Sequence, residues 1–222
     1  MDVRQMIREF ELVDIYYLLL AARWTLALTG IAFIGGGLVG LIIAFCRVSP
    51  LWPLRAFGST YVTVIQGIPL LAWLFMLFFG LPILARYQIS SWLAVTLAFS
   101  IYAGAFLGEI WRGCLAAIPN QQWEASNALG MSFVEQLRYV IIPQAVRLAI
   151  PPSVGFLVQL IKNTSLAAII GFVELTREGQ MINASTYRPM TVYIVVAIIY
   201  FLMCFPLTQI SRNLEKKLRI SR

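Results

Sequence analysis

Five long apolar stretches constrain the fold of this chain more than any other feature. They cover residues 25–46, 62–81, 91–111, 151–171 and 191–210. A helix needs about 20 apolar residues to cross the hydrocarbon core of a bilayer. Hydrophobic residues make up 60% of the chain, whereas soluble domains contain about 45–50%. The sequence therefore predicts an all-α membrane protein with five transmembrane helices, the second of which has an alternative, kinked form starting near residue 54.

The distribution of Lys and Arg predicts the orientation in the membrane. With five spans and the C-terminus inside, ten of these residues fall in cytoplasmic segments and six in external ones. Cytoplasmic loops carry the excess of Lys and Arg, so we expect an N-out, C-in topology. The predicted division is an external or interfacial segment over 1–24, with a short helix over 14–24, a membrane domain over 25–210 and a basic cytoplasmic tail over 211–222.

One long polar segment separates the third and fourth apolar stretches and has the signals of two short helices. Asn120 is a candidate N-cap for the first helix, and Gly130 offers a left-handed C-cap that ends it. Ser132 and Glu135 form the S-x-x-E pattern of a capping box at the start of the second helix. Pro143 is predicted to stop or turn this second helix. The orientation above places the helix pair in the cytoplasm.

The same polar segment carries a second pattern. It consists of Glu124-Ala125-Ser126, three residues, Gly130, nine residues, and Val140-Ile141-Ile142-Pro143. This pattern resembles the EAA motif of ABC-importer permeases, E-A-A-x3-G-x9-I-x-L-P. Ser126, Val140 and Ile142 depart from it only by small-for-small or aliphatic-for-aliphatic exchanges.

Further stretches resemble the polar amino-acid subfamily of these permeases, and the likeness covers about residues 20–215. They are GEIWRGCLAAIPNQQWEA, IIPQAVRLAIPP, LIKNTSLAAIIG and QGIPLLAWLFMLFFGLP. In the last of these, Gln66 stands where Arg is common in the subfamily. The resemblance implies the type I ABC importer permease fold, with coupling helices at about 120–142, in a multi-pass protein of the bacterial cytoplasmic membrane.

The resemblance also implies a set of partners. The coupling helices would dock on a dimer of ABC ATPase subunits through Glu124, Ala125, Ser126, Gly130 and Pro143. A second permease subunit, identical or paralogous, and an external solute-binding protein would complete an importer for a polar amino acid. The chain lacks the G-x-x-x-x-G-K-[ST] phosphate loop, so we expect it to bind no cofactor itself. ATP and Mg²⁺ would bind to the ATPase subunit.

Polar residues in the fourth apolar stretch form a candidate solute pathway. Lys162 lies near its middle, where a charge is costly and usually faces a cavity or a partner. Gln159, Lys162 and Asn163 share one helix face at i, i+3 and i+4, with Thr164 beside them. A buried structural network is the alternative. Because Asn163 is neutral, a neutral or acidic amino acid is weakly favoured as the solute.

Two residues outside this stretch are also candidates for the pathway. Gln66 precedes Gly67-Ile68-Pro69, where the proline removes a backbone donor and predicts a break in the second span. Glu109 ends the third span and is an i, i+3 neighbour of Arg112. It either forms a solvated ion pair or lines the inner end of the pathway, and as a third alternative it pairs with Lys162.

Other residue patterns restrict the alternatives. Histidine is absent, and the three cysteines have no metal-site spacing, which argues against zinc sites and imidazole catalysis. The chain is therefore not expected to be an enzyme. A self-sufficient carrier or channel for a small polar solute remains the alternative class. Gly36-x-x-x-Gly40 predicts close helix packing in lipid, and residues 174–189 are predicted as an external loop that could contact a binding protein.

Overall fold

The computed structural model describes residues 8–86 and 88–220, which form α-helices joined by short turns. The α-helices are α1 (Leu12–Val48), α2 (Trp52–Gly67), α3 (Leu70–Phe75), α4 (Leu81–Ala85), α5 (Ser91–Ala116), α6 (Asn120–Ala128), α7 (Phe133–Glu135), α8 (Ile142–Asn163), α9 (Leu175–Thr186) and α10 (Pro189–Ile220). π-helical turns join α3 to α4 (Met76–Gly80) and α7 to α8 (Gln136–Ile141), and a 3-10 helix (Thr164–Ile170) follows α8. These residues contain no β-strand, which confirms the all-α prediction.

Four helical stretches are long and apolar enough to cross a bilayer, and a bent pair supplies a fifth if it counts as one span. The four are Leu12–Val48, Ser91–Ala116, Phe133–Ile170 and Pro189–Leu218. The bent pair is Trp52–Gly67 with Leu70–Leu84. The pair is interrupted at Ile68 and Pro69, where Ile68 is extended with φ −113° and ψ 132°. The predicted break at Pro69 is confirmed.

The chain forms two compact units, each assembled from separate segments. The first unit comprises Met1–Phe33, Leu70–Phe99 and Leu157–Pro206, and the second comprises Ile34–Pro69, Ser100–Phe156 and Leu207–Arg222. Helices α1, α5, α8 and α10 contribute residues to both units.

The second unit is built on a close contact between α1 and α5. A Cβ atom placed on Gly36 would lie 2.4 Å from Cβ of Ala103, and one on Gly40 would lie 2.9 Å from the backbone nitrogen of Gly108. Gly104 faces Val39 in the same way. Small residues on both helices therefore let the backbones approach, as the Gly36-x-x-x-Gly40 pattern predicted.

The first unit has an apolar core formed by α1, α9 and α10. Its buried members are Leu18, Ala22, Leu175, Ile182, Val192, Val196 and Ile199. Gly179 on α9 lets α10 approach, since a Cβ there would lie 2.8 Å from Cγ2 of Val196. Residues 174–189, predicted as a loop, thus contain a packed helix, because apolar residues recur at helical spacing on one face of a polar segment.

Three predicted boundaries are wrong. The short helix predicted over 14–24 is not separate, because α1 runs without interruption from Leu12 to Val48. The N-cap of α6 is Pro119 rather than Asn120, which is the first residue of the helix. Pro143 does not stop the second helix of the polar segment, because helical hydrogen bonding continues from Gln136 through Asn163. The π-helical turn before Pro143 interrupts the regular i→i−4 ladder where the proline removes a donor.

Two further prolines also lie inside a helix. Pro151 and Pro152 were predicted to begin the fourth span, but they lie within α8. The Ser211 hydroxyl donates to the carbonyl of Pro151 at 2.9 Å, and the Ser153 hydroxyl donates to the carbonyl of Ala149 at 2.7 Å. The two prolines remove the amide donors to the carbonyls of Arg147 and Leu148, so these hydroxyls bond neighbouring carbonyls rather than the ones that the prolines leave free.

Candidate coupling segment and solute pathway

The turn between α6 and α7 is closed by a Schellman motif centred on Gly130. The amide of Met131 donates to the carbonyl of Ser126 at 3.2 Å, and the amide of Gly130 donates to that of Asn127 at 2.9 Å. Gly130 has φ +74°, the left-handed conformation that glycine adopts at little cost. A Cβ on Gly130 would meet nothing within 4 Å, so within this chain glycine is needed there for its backbone conformation only.

The start of α7 is fixed by the predicted capping box. The Ser132 side chain accepts from the amide of Glu135 at 3.5 Å, and the Glu135 carboxylate accepts from the amide of Ser132 at 2.8 Å. The side-chain amide of Gln136 donates to the carbonyl of Met131 at 2.9 Å. The polar segment therefore satisfies its own helix ends, which makes the two-helix turn a preformed unit.

This turn presents an unusual amount of apolar surface for a polar segment. Leu129 is 80% exposed and Val134 is 69% exposed. Beside them lies a groove of about 550 Å³, at which the rings of Trp123 and Phe133 stack with centroids 6.1 Å apart. Exposed apolar side chains grouped around a concave surface are typical of a protein interaction site.

The five residues predicted to dock on an ATPase divide by exposure. Glu124, Ala125, Gly130 and Pro143 are exposed, whereas Ser126 is 2% exposed and donates to the carbonyl of Trp123 at 2.9 Å. Beneath the turn, Ile118, Ile141 and Ala145 form a small apolar core. Because these residues come from either side of the helix pair, the pair is packed onto the helices that flank it. A small side chain at position 126 fits its nearly complete burial.

The pathway residues predicted in the first unit do not all face the same way. Gln159 and Lys162 are exposed and Asn163 is half-buried, as their shared helix face requires. Thr164 is fully buried and donates to the carbonyl of Ile161 at 2.6 Å. Lys162 forms no ion pair with any of the described residues. Thr164 thus lies behind the polar face rather than on it.

In the second unit, Gln66 and Glu109 line one groove. The groove has a volume of about 510 Å³, and its other walls are mainly apolar, with Phe106, Ile110 and Leu148 among them. The Gln66 side chain donates to the carbonyl of Ala105 at 3.4 Å. Gln66 therefore lies against α5 at the end of α2, beside the break predicted from Pro69.

Glu109 is the centre of a three-residue charge cluster. Arg112 donates from Nε to both carboxylate oxygens at 3.1 Å, and Arg47 donates to Oε2 from the end of α1. The predicted i, i+3 pair with Arg112 is confirmed, and the pair with Arg47 is an addition. Two guanidinium groups against one carboxylate leave a net positive charge at the groove.

Sequence reasoning missed two sets of residues. Arg47 is one of the ten Lys and Arg residues counted on the cytoplasmic side, and its place at the end of an apolar stretch is a signal for an interfacial partner. A buried set around Glu174 was also missed, because its members Thr25, Glu174 and Tyr200 are far apart in sequence. The Glu174 side chain is completely buried, and this burial raises the pKa of its carboxyl group.

Comparison of the sequence with models of known protein families identifies the family of this chain. Residues 36–220 match the model described as the binding-protein-dependent transport system inner membrane component. The chain belongs to this family. The match includes the coupling segment, both candidate pathway groups and all helices from α2 to α10.

Curated relatives within the same type of transport system match nearly the whole chain. The chain is 38% identical over 196 residues to the L-cystine transport system permease protein TcyB of Bacillus subtilis, covering 88% of this chain and 83% of TcyB. It is 34% identical to the probable amino-acid ABC transporter permease protein YckA of Bacillus subtilis, covering 90% and 88%. It is also 34% identical to the glutamine transport system permease protein GlnP of Escherichia coli K12, covering 90% and 91%.

Two solved structures have the same fold as this chain. A chain of an amino acid ABC transporter crystallised with histidines superposes with a TM-score of 0.87 and 31% identity, covering 95% of this chain and 100% of that chain. A chain of the inward-facing methionine transporter MetNI superposes with a TM-score of 0.72 over 92% of this chain and 99% of that chain, at 22% identity. Because the identity to the MetNI chain is low, this likeness shows a shared fold and nothing more.

Proposed function

We propose that the chain is the permease subunit of an ATP-binding-cassette importer that takes up a polar amino acid. The observation that carries this proposal is its identity of 34–38% with amino-acid permeases along nearly their whole length. The self-contained helix turn between α6 and α7 supports it. A carrier that works alone has no need for such a turn with exposed apolar residues.

In this proposal five spans cross the bacterial inner membrane with the N-terminus outside and the C-terminus inside. The bent pair α2–α3 counts as one broken span, whose freed backbone groups require protein or water around them. The excess of Lys and Arg on the cytoplasmic side supports this orientation. Thiols introduced by Asn120→Cys and Ser185→Cys, in a variant without the native cysteines, should react with impermeant maleimide from opposite faces. Reaction of both from outside would refute the topology.

The helix turn docks on an ATPase subunit, and a second permease subunit completes the membrane part. A rigid contact is needed because ATP-driven closure of the ATPase subunits must be transmitted to the spans as a rigid-body movement. The caps at Gly130 and Ser132 supply that rigidity. ATP and Mg²⁺ bind to the ATPase, and an external binding protein delivers the solute. A self-sufficient carrier predicts uptake without these partners.

Lys162 supplies the positive charge that meets the α-carboxylate of the amino acid. Its ammonium group has no carboxylate partner among the described residues, while both oxygens of Glu109 are occupied by Arg47 and Arg112. This favours the solute over Glu109 as the partner of Lys162. Gln159 and Asn163, on the same helix face, are placed to hydrogen-bond the remaining polar groups of the solute.

The decisive experiment is uptake by proteoliposomes that contain the permease, its ATPase and its binding protein. Labelled L-glutamine and L-cystine serve as probes, with and without internal ATP. We expect ATP-dependent uptake of at least one polar amino acid, its loss in Lys162→Met, and normal uptake in Lys216→Met, a control in the basic tail. Uptake without ATP or ATPase would favour the self-sufficient carrier. Normal ATP-driven uptake by Lys162→Met would refute the role of Lys162.

A further inference from the structure

The groove beside Glu109 in the second unit has the size and the lining of a site for a small solute. Its volume of about 510 Å³ falls within the range of ligand pockets, roughly 300–1,000 Å³. Residues at helical spacing on α5, from Phe106 through Ile110 to Ala117, form much of its mainly apolar wall. Gln66 and Glu109 contribute its strongly polar side chains. Ligand pockets combine apolar walls with a few such polar groups, which fix the orientation of the ligand.

The charge at this groove is positive and incompletely matched. Arg112 donates from Nε to both oxygens of Glu109 at 3.1 Å and from Nη2 to Oε1 at 2.5 Å, and Arg47 donates from Nη1 to Oε2. Two guanidinium groups thus share one carboxylate, so the three side chains together carry one excess positive charge. A ligand without a net negative charge would leave this excess uncompensated.

Both guanidinium groups also keep donors that no described residue accepts. A guanidinium can donate from each of its nitrogens. Within the part of the chain that the structure describes, Glu109 is the acceptor for Arg47 and for Arg112. Nε and Nη2 of Arg47 and Nη1 of Arg112 have none there. The Arg47 side chain is only 19% exposed, and polar groups largely removed from water need partners. A carboxylate matches the geometry of a guanidinium and forms strong hydrogen bonds with it.

The excess charge distinguishes between classes of amino acid. Charges interact more strongly beside apolar walls than in bulk water. A neutral amino acid brings one carboxylate and one ammonium group and adds no net charge. An acidic amino acid has a second carboxylate, whose negative charge equals the excess at the groove. A basic amino acid would add a further positive charge, while the carboxylate that lines the groove, Glu109, already holds two guanidinium groups.

We propose that this groove is a solute subsite in which Arg47 and Arg112 bind a carboxylate, and that it selects acidic amino acids over neutral and basic ones. The inference rests on the proposed function, because it takes the transported amino acid as the ligand. Glu109 positions the two guanidinium groups, and their remaining donors hold the side-chain carboxylate of the solute. The subsite belongs to the second unit and adds to the role of Lys162.

The first test uses Cys114, which lines the groove and reports its occupancy without transport. The complex of permease and ATPase in nanodiscs reacts with methyl methanethiosulfonate, and modification of Cys114 is followed by mass spectrometry. L-Glutamate should slow this reaction at a concentration about tenfold lower than L-glutamine, because charge-assisted hydrogen bonds are roughly twice as strong as neutral ones. L-Arginine should give no protection. Equal protection by L-glutamate and L-glutamine, or none by either, would overturn the proposal.

The second test changes the charge of the cluster. Arg112→Gln leaves Glu109 with Arg47 alone, so the excess positive charge disappears. The preference for L-glutamate over L-glutamine in the Cys114 assay should then fall from about tenfold to within about twofold. Arg212→Gln is the matched control, since Arg212 is exposed near the end of α10, and it should keep the preference. Because this preference is a ratio measured on one preparation, a lower yield of complex does not affect it. An unchanged preference in Arg112→Gln would refute the role of the arginines.

Three outcomes separate this inference from its alternatives. If phosphatidylglycerol in the nanodiscs slows the reaction of Cys114 relative to phosphatidylcholine while no amino acid does, the groove holds a lipid phosphate and the proposal is overturned. If ATP-driven uptake of L-glutamine occurs but no amino acid protects Cys114, the subsite is refuted and the proposed function stands. Absence of ATP-driven uptake for every amino acid tested would refute the proposed function itself.

Discussion

The contact between Gly36 on α1 and Ala103–Gly104 on α5 can be tested by adding a single methyl group. In Gly36→Ala the new Cβ would lie 2.4 Å from Cβ of Ala103 and 2.9 Å from the nitrogen of Gly104. Ordinary contact begins at 3.4 Å, so the two helices must separate by about 1 Å. Because one of the opposing atoms belongs to the backbone, a rotamer change alone cannot relieve the overlap.

The size of the effect follows from a comparison with a glycine that has free space. A Cβ on Gly30, also within α1, would meet nothing within 4 Å. Both substitutions gain the same helix propensity, about 1 kcal/mol, so their difference isolates the overlap. Overpacking of a tight contact costs about 1–3 kcal/mol. For a chain of this length, that corresponds to a Tm about 2–12 °C lower for Gly36→Ala than for Gly30→Ala.

The measurement is thermal unfolding of the detergent-solubilised complex, followed by fluorescence-detected size exclusion. A second pair on the same contact, Gly40→Ala against Gly113→Ala, should repeat the result, because Gly40 faces Gly108 at 2.9 Å and Gly113 faces open space. If Gly36→Ala and Gly40→Ala match or exceed their controls in Tm, the close contact of α1 and α5 does not stabilise the protein and this reasoning fails.

Three further predictions test other parts of the molecule. Gly130→Val forces a side chain into φ +74° at a cost of about 1 kcal/mol. Both Gly130→Val and Glu124→Lys should leave membrane insertion normal and weaken assembly with the ATPase. Normal pull-down of the ATPase by both variants would contradict docking at this turn. Glu109→Gln leaves two guanidinium groups facing each other without a carboxylate and should lower stability by about 1–2 kcal/mol, measured as Tm against Glu215→Gln in the exposed tail. Burial raises the pKa of the Glu174 carboxyl above its ordinary value of 4.5, so the folded state binds this proton more tightly than the unfolded state. The resulting stabilisation is present below pH 4.5 and is lost as the pH rises through the raised pKa. Glu174→Gln should therefore flatten the fall of Tm above pH 4.5, and an unchanged pH profile would exclude Glu174 as its source.

Local features of the fold were predictable because a few neighbouring residues encode them. The break at Pro69, the left-handed Gly130 and the capping box of Ser132 and Glu135 each depend on chemistry within about four positions. The Gly36-x-x-x-Gly40 pattern also predicted close packing, although not its partner helix. Gly104-x-x-x-Gly108 carries the same spacing within the third apolar stretch, and this was the available signal for that partner.

Contacts between distant segments could not be predicted in the same way. Thr25 and Glu174 are separated by 149 positions, and no periodicity within either segment specifies that they meet. Arg47 and Glu109 each end an apolar stretch, which places both near an interface but does not pair them. The boundary errors have a related cause, because the continuous course of α8 past Pro143, Pro151 and Pro152 is accompanied by a π-helical turn and by a contact from Ser211 on α10, and no short sequence pattern specifies either.

The π-helical turn at Gln136–Ile141 also makes the length of this stretch adjustable. Each residue of an α-helix accounts for a rotation of about 100° and a rise of about 1.5 Å, so one extra residue in a regular helix would turn every later side chain to another face. A π-helical turn confines one extra residue to a single wide turn, and the later residues of α8 stay in register. Deleting one residue from this turn should therefore restore a regular helix while Leu148 and Pro152 keep their places on the groove beside Gln66 and Glu109.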